Sequence, residues 1–521
     1  MSNRHFYITT PIYYPNGEPH LGSVYTTTIC DVLARYHRLQ GQDTYFLTGT
    51  DEHGTKMVKA AAEAGVQPIE LATRYADIFR SVWVELKIST DDFIRTTEDR
   101  HKSAVQRIVQ ELVAKGDIYL GSYQGWYDEG QEQFVTETEA KNNEFKSAIS
   151  GKPLTRYTES TYFFRLQKYV PAILAHIEAH PDFIVPVSRR NEVISKLKVG
   201  VEDLSVSRAT LKWGIPMPHD PQHVVYVWID ALTNYITALG YGSDDRSKFD
   251  KYWPVDVHVI GKDILWFHAV YWPAMLLSLG LPLPKTIAAH GWWVRGGKKA
   301  GKSTGGITTL PEIRELVTKY SLDALRYHLL RAAPFGSDLE WSQEEFDKSY
   351  NELANVVGNC LNRTLKMINR YRGGVLPGIG EHDAIDDAVS AKSFAISITS
   401  AYEKLELQQC AMLPIEFARA ANGYIDATAP FSLAKDPGKA ARLDTVLHLS
   451  AQAIYRALVA LLPILPEKAA AGLAQLGVDL TNKTLNDLLA SDLPAGQKLN
   501  EGVPLFPKVE SVKSTPPNAQ G

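Results

Sequence analysis

HFYITTPIYYPNGEPHLGSVYTTTICDVLARYHRLQG, residues 5–41, joins a predicted strand to a predicted helix through a glycine-bearing turn. Its first ten residues are mostly aromatic and β-branched, which favours a strand. From Gly22 onward, apolar residues recur at helical spacing until Gly41, a residue type that commonly ends a helix. A strand, a tight turn and a helix N-terminus make a natural site for an anion, although an ordinary βα connection has the same pattern.

Residues 1–115 continue to alternate between strand-like and helix-like segments, and the alternation returns in residues 223–293. Between them, residues 116–222 begin with the hairpin-like stretch IYLGSYQGWYDEGQEQFVTETEA and continue with polar segments. Alternating strands and helices predict a parallel α/β sheet. The expected fold is therefore a Rossmann-type parallel sheet, divided in sequence by an inserted connective module.

The strand patterns stop at Trp341, after a linker over residues 294–341 that contains a lysine-rich loop. Ser342 and Glu345 have the spacing of a helix capping box, and helical patterns continue to residue 478. We expect an all-α bundle over residues 342–478. Residues 479–521 are expected to form a C-terminal tail, whose last part, KVESVKSTPPNAQG, has the composition of a disordered segment.

The composition of the 521-residue chain excludes several classes of protein. Cys30, Cys360 and Cys410 are far apart and supply neither a disulfide framework nor a Cys-x-x-Cys zinc knuckle. The net charge of −4 excludes a generally basic nucleic-acid coat. No stretch has the plan of a signal peptide or the length of a membrane span. We therefore expect a cytoplasmic protein.

Chemically useful side chains follow three predicted strands, where ligands of a doubly wound sheet bind. FLTGTDEHG, YVWIDALTNY and VIGKDILWFHAVYW each bring carboxylates, histidines or aromatic rings to such a position, and His20 adds a fourth contribution. Each could serve packing alone, but four strand ends with one plan favour a shared site. The residues are Asp51, Glu52, His53, Trp228, Asp230, Tyr235, Asp263, Phe267 and His268.

A second nucleotide-binding pattern lies in RGGKKAGKSTGG, residues 295–306. Gly296 to Ser303 fits G-x-x-x-x-G-K-S, the phosphate-binding P-loop, so a P-loop NTPase is an alternative function. A P-loop serine opens a helix at once, whereas Gly305, Gly306 and Pro311 follow Ser303 here. A solvated lysine loop is the third interpretation of this segment.

Together these stretches resemble the methionyl-tRNA synthetases, a class I family, over nearly the whole chain. PHLG is similar to the HIGH motif of that class, with Ser23 in place of the last histidine. GKKAGKST stands where the family has KMSKS, and it keeps Lys299, Lys302 and Ser303. Ala300 and Gly301 replace the methionine and first serine of the motif, which leaves the activity of this loop open.

The resemblance implies that methionine and ATP, with Mg²⁺, form methionyl-adenylate, and that the methionyl group then passes to the 3′ end of methionine tRNA, initiator and elongator. It implies that His20, Gly22, Lys299 and Lys302 are catalytic, with His20 and both lysines facing the phosphates. Gly22 would let adenine approach the backbone, and Asp263 would hold the ribose. The implied ATP-binding residues are His20, Gly22, Ser23, Asp263, Lys302 and Ser303.

The resemblance also implies an amino-acid pocket. Asp51 would bind the α-ammonium group of methionine by a charge-assisted hydrogen bond. An aromatic slot suits a thioether, and a tyrosine hydroxyl near the sulfur would help to reject aliphatic side chains. The implied methionine-binding residues are Ile12, Tyr14, Asp51, Trp228, Ala231, Tyr235, Ile264, Phe267 and His268.

The helical bundle would read the anticodon. Asn355, Asn359 and Arg363 are spaced by four residues and so share one face of a helix, while Phe431 takes the place of a tryptophan that the family commonly stacks on a base. Without the resemblance, a polar surface stripe explains the same spacing.

Two further expectations come from what the sequence lacks. The insert has no cysteine, so we expect no structural zinc, and no additional dimerising tRNA-binding domain follows the bundle, so we expect a monomer. A tRNA-binding homologue with impaired activation remains an alternative, although His20, Gly22, Asp51, Asp263 and Lys302 are all present.

Overall fold

The computed structural model describes residues 5–130, 133–135, 137–295, 298–299, 308–389 and 392–509. The chain divides into two compact units. The first lies within Met1–Arg38, Gln42–Trp292 and Gly336–Asp338, and the second within Leu39–Gly41, Trp293–Phe335 and Leu339–Gly521. No helix among the described residues is both long and apolar enough to cross a membrane.

The described strands are β1 (His5–Thr9), β2 (Asp43–Thr50), β3 (Asp92–Arg95), β4 (Ile118–Asp128), β5 (Gln133–Val135), β6 (Thr155–Phe164), β7 (Ile184–Val185), β8 (Leu204–Ser205), β9 (Ser207–Arg208), β10 (Pro216–Met217), β11 (Asp220–Val225), β12 (Val257–Gly261), β13 (Thr286–His290), β14 (Trp293–Arg295), β15 (Lys298–Lys299) and β16 (Leu339–Glu340).

The described α-helices are α1 (Leu21–Leu39), α2 (Thr55–Ala64), α3 (Pro68–Glu85), α4 (Asp99–Ala114), α5 (Glu137–Asn142), α6 (Val170–Ala179), α7 (Val187–Val199), α8 (Val227–Thr237), α9 (Ser247–Tyr252), α10 (Trp272–Leu279), α11 (Leu310–Lys319), α12 (Leu322–Arg331), α13 (Gln343–Glu352), α14 (Asn359–Arg372), α15 (Lys392–Glu403), α16 (Leu407–Thr428), α17 (Pro430–Leu433), α18 (Ala440–Leu461), α19 (Pro466–Gln475) and α20 (Leu485–Ala490). Two π-helical turns, Phe267–Tyr271 and Leu353–Gly358, lead directly into α10 and α14.

The first unit is built on a six-stranded sheet in the order β3-β2-β1-β12-β13-β7, and every pairing in it is parallel. Its inner strands are apolar and almost wholly buried, as expected for a parallel sheet with both faces covered. The opening motif forms β1 and α1 as predicted. The Rossmann-type α/β fold is thus confirmed.

The inserted residues fold less separately than their sequence suggests. β4 and β6 form a long antiparallel pair, with β5 and β8 at its edges. The antiparallel pairing of β4 with β5 confirms the predicted hairpin. β7, from the same stretch, instead adds the edge strand beside β13 in the parallel sheet.

One prediction was wrong: the strand before YVWIDALTNY, β11, belongs to a small antiparallel sheet with β9 and β10. Trp228 and Asp230 therefore follow a strand outside the parallel sheet.

The second unit is mainly helical after β16. The Ser342 hydroxyl accepts a hydrogen bond from the Glu345 N–H at 3.1 Å and caps α13, while α14 ends at Gly373 with φ of 61°. Residues beyond 478 pack onto this unit as far as residue 509, because α20 forms there and Leu499 and Phe506 are buried. Most of the segment expected to be disordered, from 510 onward, lies outside the described residues.

Candidate active site

The turn between β1 and α1 presents His20 at the start of a helix. The N–H of Gly22 donates to His20 Nδ1 at 3.0 Å, so the ring proton of the neutral imidazole is on Nε2. The Ser23 hydroxyl accepts from the His20 N–H at 2.9 Å and donates to the His20 carbonyl at 2.8 Å. These bonds hold a donor histidine beside the N–H groups of the first helical turn, which is a suitable arrangement for a phosphate.

The His20 ring lies close against Gly22. A Cβ atom at this position would lie 2.9 Å from His20 Cε1 and 3.1 Å from Nδ1. The space that a side chain would fill is therefore occupied by the catalytic candidate itself. A side chain at position 22 would therefore displace the His20 ring, while the adenine approach that the resemblance implies stays a prediction.

His290, at the end of β13, joins the same turn and was missed by the sequence argument. Its Nδ1 donates to the Gly291 carbonyl at 2.7 Å, and its Nε2 lies 2.7 Å from the Thr26 hydroxyl on α1. Burial lowers the pKa of His290, so the ring is neutral and Nε2 accepts the Thr26 proton. The strand-end rule that selected Asp51 could have found His290, because this residue closes the strand pattern of KTIAAHGWWV.

Asp263 lies at the carboxyl end of β12, beside β13. The indole N–H of Trp292, a residue not predicted, donates to Asp263 Oδ1 at 3.2 Å. A Cβ on Gly261 would come within 2.6 Å of the same oxygen. The carboxylate is thus held between a glycine backbone and an indole donor.

Asp51 is buried where the turn meets the end of β2. Tyr13 pairs with this strand end, because its N–H donates to the Gly49 carbonyl at 3.0 Å and its carbonyl accepts from the Asp51 N–H at 2.9 Å. The next residue, Glu52, forms a buried ion pair with Arg95 at 2.7 Å. Glu52 is therefore an anchor for the segment that carries Asp51.

His53 and Asp230 form a second buried anchor. The Asp230 carboxylate bridges His53 Nδ1 at 2.6 Å and His101 Nε2 at 2.7 Å. Burial raises the pKa of Asp230, but the two histidines outweigh burial and hold that pKa below its ordinary value. This bridge ties α8 to the chain just after β2 and to α4.

Three predicted methionine-pocket residues, Trp228, Ala231 and Tyr235, lie on one face of α8, at spacings of three and four residues. The Trp228 ring stacks on Phe267 with centroids 3.7 Å apart and planes 8° from parallel. Ile12, Tyr14, Trp228 and Ile264 pack, partly buried, against the same apolar cluster that contains Tyr235 and Phe267.

The polar feature of this pocket is a tyrosine–histidine pair. The Tyr235 hydroxyl lies 2.7 Å from His268 Nε2, and His268 Nδ1 donates to the Ile264 carbonyl at 3.0 Å. Burial lowers the pKa of His268 to about 4, so the neutral ring accepts the Tyr235 proton. His268 lies in the π-helical turn Phe267–Tyr271, a distortion that is frequent at functional sites.

A further layer behind the pocket was not predicted. Trp272 Nε1 donates to His258 Nε2 at 3.2 Å, and His258 Nδ1 lies 2.7 Å from the Thr9 hydroxyl. The His258 ring centroid is 4.2 Å from that of Tyr235. Since an indole can only donate, His258 carries its proton on Nδ1 and supports the Tyr235 ring as a neutral group.

The predicted anticodon residues lie in the second unit. Asn355, in the π-helical turn Leu353–Gly358, and Asn359, at the start of α14, are exposed. Phe431 on α17 is 56% exposed. Arg363 differs, because its guanidinium donates to Asp426 at 2.5 Å. The apolar residues Leu353, Val357, Leu361 and Leu365, which recur every four residues in the same segment, are all buried.

Most of the lysine loop lies outside the described residues. Lys302 and Ser303 lie outside the described residues, as do Ala300 and Gly301. Only the backbone of Lys299 is described, and with Lys298 it forms β15, antiparallel to β14. A strand inside the Gly296–Ser303 pattern does not match a P-loop turn. Among the described residues, no group of three or more histidine, cysteine, aspartate or glutamate side chains could hold a metal ion.

Comparison with known proteins identifies the family to which this fold belongs. The family model "tRNA synthetases class I (M)" matches residues 6–143 and 138–365. The chain is 45% identical to the methionine–tRNA ligase of Enterococcus faecalis over 97% of this chain and 77% of that protein. It is 44% identical to the methionine–tRNA ligase of Bacillus subtilis over 98% of this chain and 78% of that protein.

Solved structures give the same result over nearly the whole chain. Mycobacterium tuberculosis methionyl-tRNA synthetase in complex with methionyl-adenylate matches with a TM-score of 0.91 and 39% identity, over 97% of this chain and 100% of that one. The free state of the mycobacterial enzyme matches with a TM-score of 0.85 and 36% identity, over 97% and 98%. By sequence and fold, the chain belongs to the methionine–tRNA ligase family of class I aminoacyl-tRNA synthetases.

Proposed function

We propose that this ligase activates L-methionine in the first unit, with Asp51 binding the α-ammonium group and the α8 and π-helical residues enclosing the side chain. A methionine carboxylate oxygen attacks the α-phosphate of ATP, pyrophosphate leaves, and methionyl-adenylate is formed. Catalysis of such an in-line displacement depends mainly on positioning the reactants and on stabilising charge on the phosphates. The buried anchors of Glu52 and Asp230 support the first requirement.

The nucleotide is assigned to the β1–α1 turn. His20 Nε2–H is the donor that this turn offers to a phosphate oxygen, because Nδ1 is engaged by the Gly22 N–H. Ser23 holds the His20 backbone, and Asp263 is assigned to the ribose hydroxyls. ATP enters with Mg²⁺ as its counter-ion. Lys299, Lys302 and Ser303 are proposed to add phosphate contacts from the lysine loop.

The observation that carries the proposal is the 2.7 Å contact between Tyr235 and His268 inside an apolar pocket. The Tyr235 proton is donated to His268 Nε2, so the hydroxyl presents a fixed dipole to a side chain lying against Trp228 and Phe267, and a polarizable thioether sulfur suits such a dipole better than a methylene does. His268 holds that hydroxyl in place as a neutral acceptor. The pocket is proposed to distinguish sulfur from a methylene by this one polar contact.

The test is ATP–pyrophosphate exchange with each of the twenty amino acids, with and without Mg²⁺. We expect exchange with methionine alone and only when Mg²⁺ is present. Exchange with another amino acid would show that the pocket is misassigned. Methionine binding without exchange would place the defect in the lysine loop. Restoring the methionine and serine of the family motif, by Ala300→Met and Gly301→Ser, would then decide between an impaired enzyme and a binding homologue.

The second unit is proposed to bind the anticodon of initiator and elongator methionine tRNA through Asn355, Asn359, Arg363 and Phe431. Charging of both tRNAs by the same preparation tests this.

We also propose a monomer, without structural zinc, working in the cytoplasm where its tRNA substrates are. Sedimentation equilibrium should give 58.0 kDa at every protein concentration, and metal analysis should find no zinc.

A further inference from the structure

A closed ring of contacts at the carboxyl end of β12 joins Lys262, Asp338 and Trp292, and the Trp292 indole connects this ring to Asp263. Lys262 Nζ lies 2.6 and 2.8 Å from the two oxygens of Asp338. Asp338 Oδ1 also accepts the Trp292 backbone N–H at 2.9 Å, and Lys262 Nζ lies 4.1 Å from the centre of the Trp292 ring. The Trp292 indole N–H then donates to Asp263. Lys262 and Asp338 have no part in the function proposed above.

Asp338 reaches this ring from a distant part of the sequence. It ends the tripeptide Gly336–Asp338, which belongs to the first unit although the residues on both sides belong to the second. The tripeptide packs directly on the chain after β13, because a Cβ on Gly291 would lie 2.0 Å from the Ser337 carbonyl oxygen. The backbone beside Trp292 therefore depends on where the tripeptide lies.

The charges in the ring are well defined. Burial raises the pKa of Asp338, but Lys262 and the Trp292 N–H outweigh burial and hold that pKa below its ordinary value. Asp338 is therefore ionised at neutral pH. An ionised Asp338 holds both the ammonium group over the Trp292 ring and the Trp292 backbone N–H, and so restricts the orientation of the indole that donates to Asp263.

We propose that Asp338 and Lys262 are positioning residues for the ribose carboxylate Asp263, and that they act through the Trp292 indole. This inference rests on the proposed role of Asp263 in binding ribose. Neither residue touches the nucleotide in this account. Each limits the positions available to Trp292 and so keeps Asp263 Oδ1 in the orientation that meets a ribose hydroxyl.

The same unit contains a matched control. Lys285 Nζ lies 2.6 Å from Asp256 Oδ1, and Asp256 Oδ2 accepts the Tyr7 N–H at 2.8 Å. This pair repeats the lysine–aspartate–backbone arrangement, but at the amino end of β12, whereas Lys262 follows its carboxyl end. Asp256→Asn should therefore cost a similar amount of stability without affecting ATP binding.

The experiment is pyrophosphate exchange with Asp338→Asn and Lys262→Met, using ATP and 2′,3′-dideoxy-ATP in parallel. We expect each variant to raise the KM for ATP about fivefold, because the hydrogen bond from ribose to Asp263 is weakened but not removed, with the KM for methionine unchanged. The penalty should vanish with dideoxy-ATP and in an Asp263→Ala background, because the ribose contact is then already absent. Asp338→Glu and Lys262→Arg should recover most of the affinity.

Three results would overturn the proposal. The first is an equal penalty on ATP and dideoxy-ATP, which would show that the effect does not pass through the ribose contact. The second is an unchanged KM for ATP with a lower melting temperature, as expected for Asp256→Asn. In the third, Asp263→Ala binds ATP as well as the unchanged protein does. That result alone would also remove Asp263 from the proposed function.

Discussion

The methionine pocket and the proposed anticodon face differ in what their side chains contact. In the pocket, Tyr235 is buried and hydrogen-bonded to His268. The anchors beside Asp51 are buried as well, and there His53 is hydrogen-bonded to Asp230. On the anticodon face, Asn355, Asn359 and Phe431 are exposed, and Arg363 is bonded to Asp426. A small ligand is thus met by a preorganised site, whereas a tRNA loop meets side chains that must be ordered on binding.

The largest effect is expected from His20→Ala. This change removes the Nε2–H donor from the turn but leaves the pocket intact, so kcat for pyrophosphate exchange should fall about 10²- to 10³-fold, as when one preorganised transition-state donor is lost. The KM for methionine should stay within about twofold of the unchanged enzyme. A comparable loss of methionine affinity would show that turn and pocket are not separate parts of the site.

The second prediction concerns two buried histidines, one in each unit. The pKa of both His268 and His328 is lowered to about 4, mainly by burial. A histidine with a lowered pKa in the folded state takes up its proton first in the unfolded state, so its stabilising contribution is complete above pH 6.5 and is lost as the pH falls toward 4. Each histidine should lower the free energy of unfolding by roughly 2 kcal/mol as the pH falls from 8 to 5.

Urea unfolding from pH 8 to pH 5 measures this slope. His268→Gln and His328→Gln should each make it shallower, since glutamine does not titrate. Only His268→Gln should raise the KM for methionine, because only that ring holds Tyr235. If the unchanged enzyme loses methionine affinity between pH 8 and pH 6, His268 titrates in that range and the neutral-acceptor account is wrong.

These residues show where sequence reasoning succeeds and where it stops. The parallel sheet, α1, the cap at Ser342 and the buried face of α14 were predictable because local spacing determines them. The sheet to which β11 belongs could not be predicted, because the apolar pattern of one strand does not show which strand pairs with it. His258 and Asp338 were missed for the same reason. Their partners are 249 and 76 residues away in the chain, so only the fold brings them together.

Tyr235→Phe should have a smaller effect that is confined to the pocket. It leaves His268 Nε2 without its buried donor, so the KM for methionine should rise about tenfold, at the upper end for one lost hydrogen bond. Norleucine, which replaces sulfur by methylene, should lose much less affinity. Exchange kinetics with both amino acids give the ratio.

Tyr455→Phe is the matched control for this change. That hydroxyl is also buried and donates to the Leu488 carbonyl at 2.7 Å, but in the second unit. We expect a similar loss of stability with an unchanged KM for methionine. Equal penalties on methionine and norleucine in Tyr235→Phe would mean that the hydroxyl shapes the pocket without distinguishing sulfur.

The smallest effect is expected on the exposed face, from Phe431→Trp. A larger ring offers more surface to an unstacked base, so the KM for methionine tRNA should fall about threefold, while Phe431→Ala should raise it about tenfold, within the range for one base stacked on an aromatic ring. Pyrophosphate exchange should be unchanged in both variants, since no tRNA takes part. Charging assays with the natural anticodon and with an anticodon-substituted transcript measure the difference.

Because Phe431 is exposed before tRNA arrives, its substitution should alter affinity without altering stability, unlike every substitution in the buried pocket. If Phe431→Ala charges tRNA as well as the unchanged enzyme does, the exposed ring is ordinary surface, and recognition must rest on the two asparagines and Arg363.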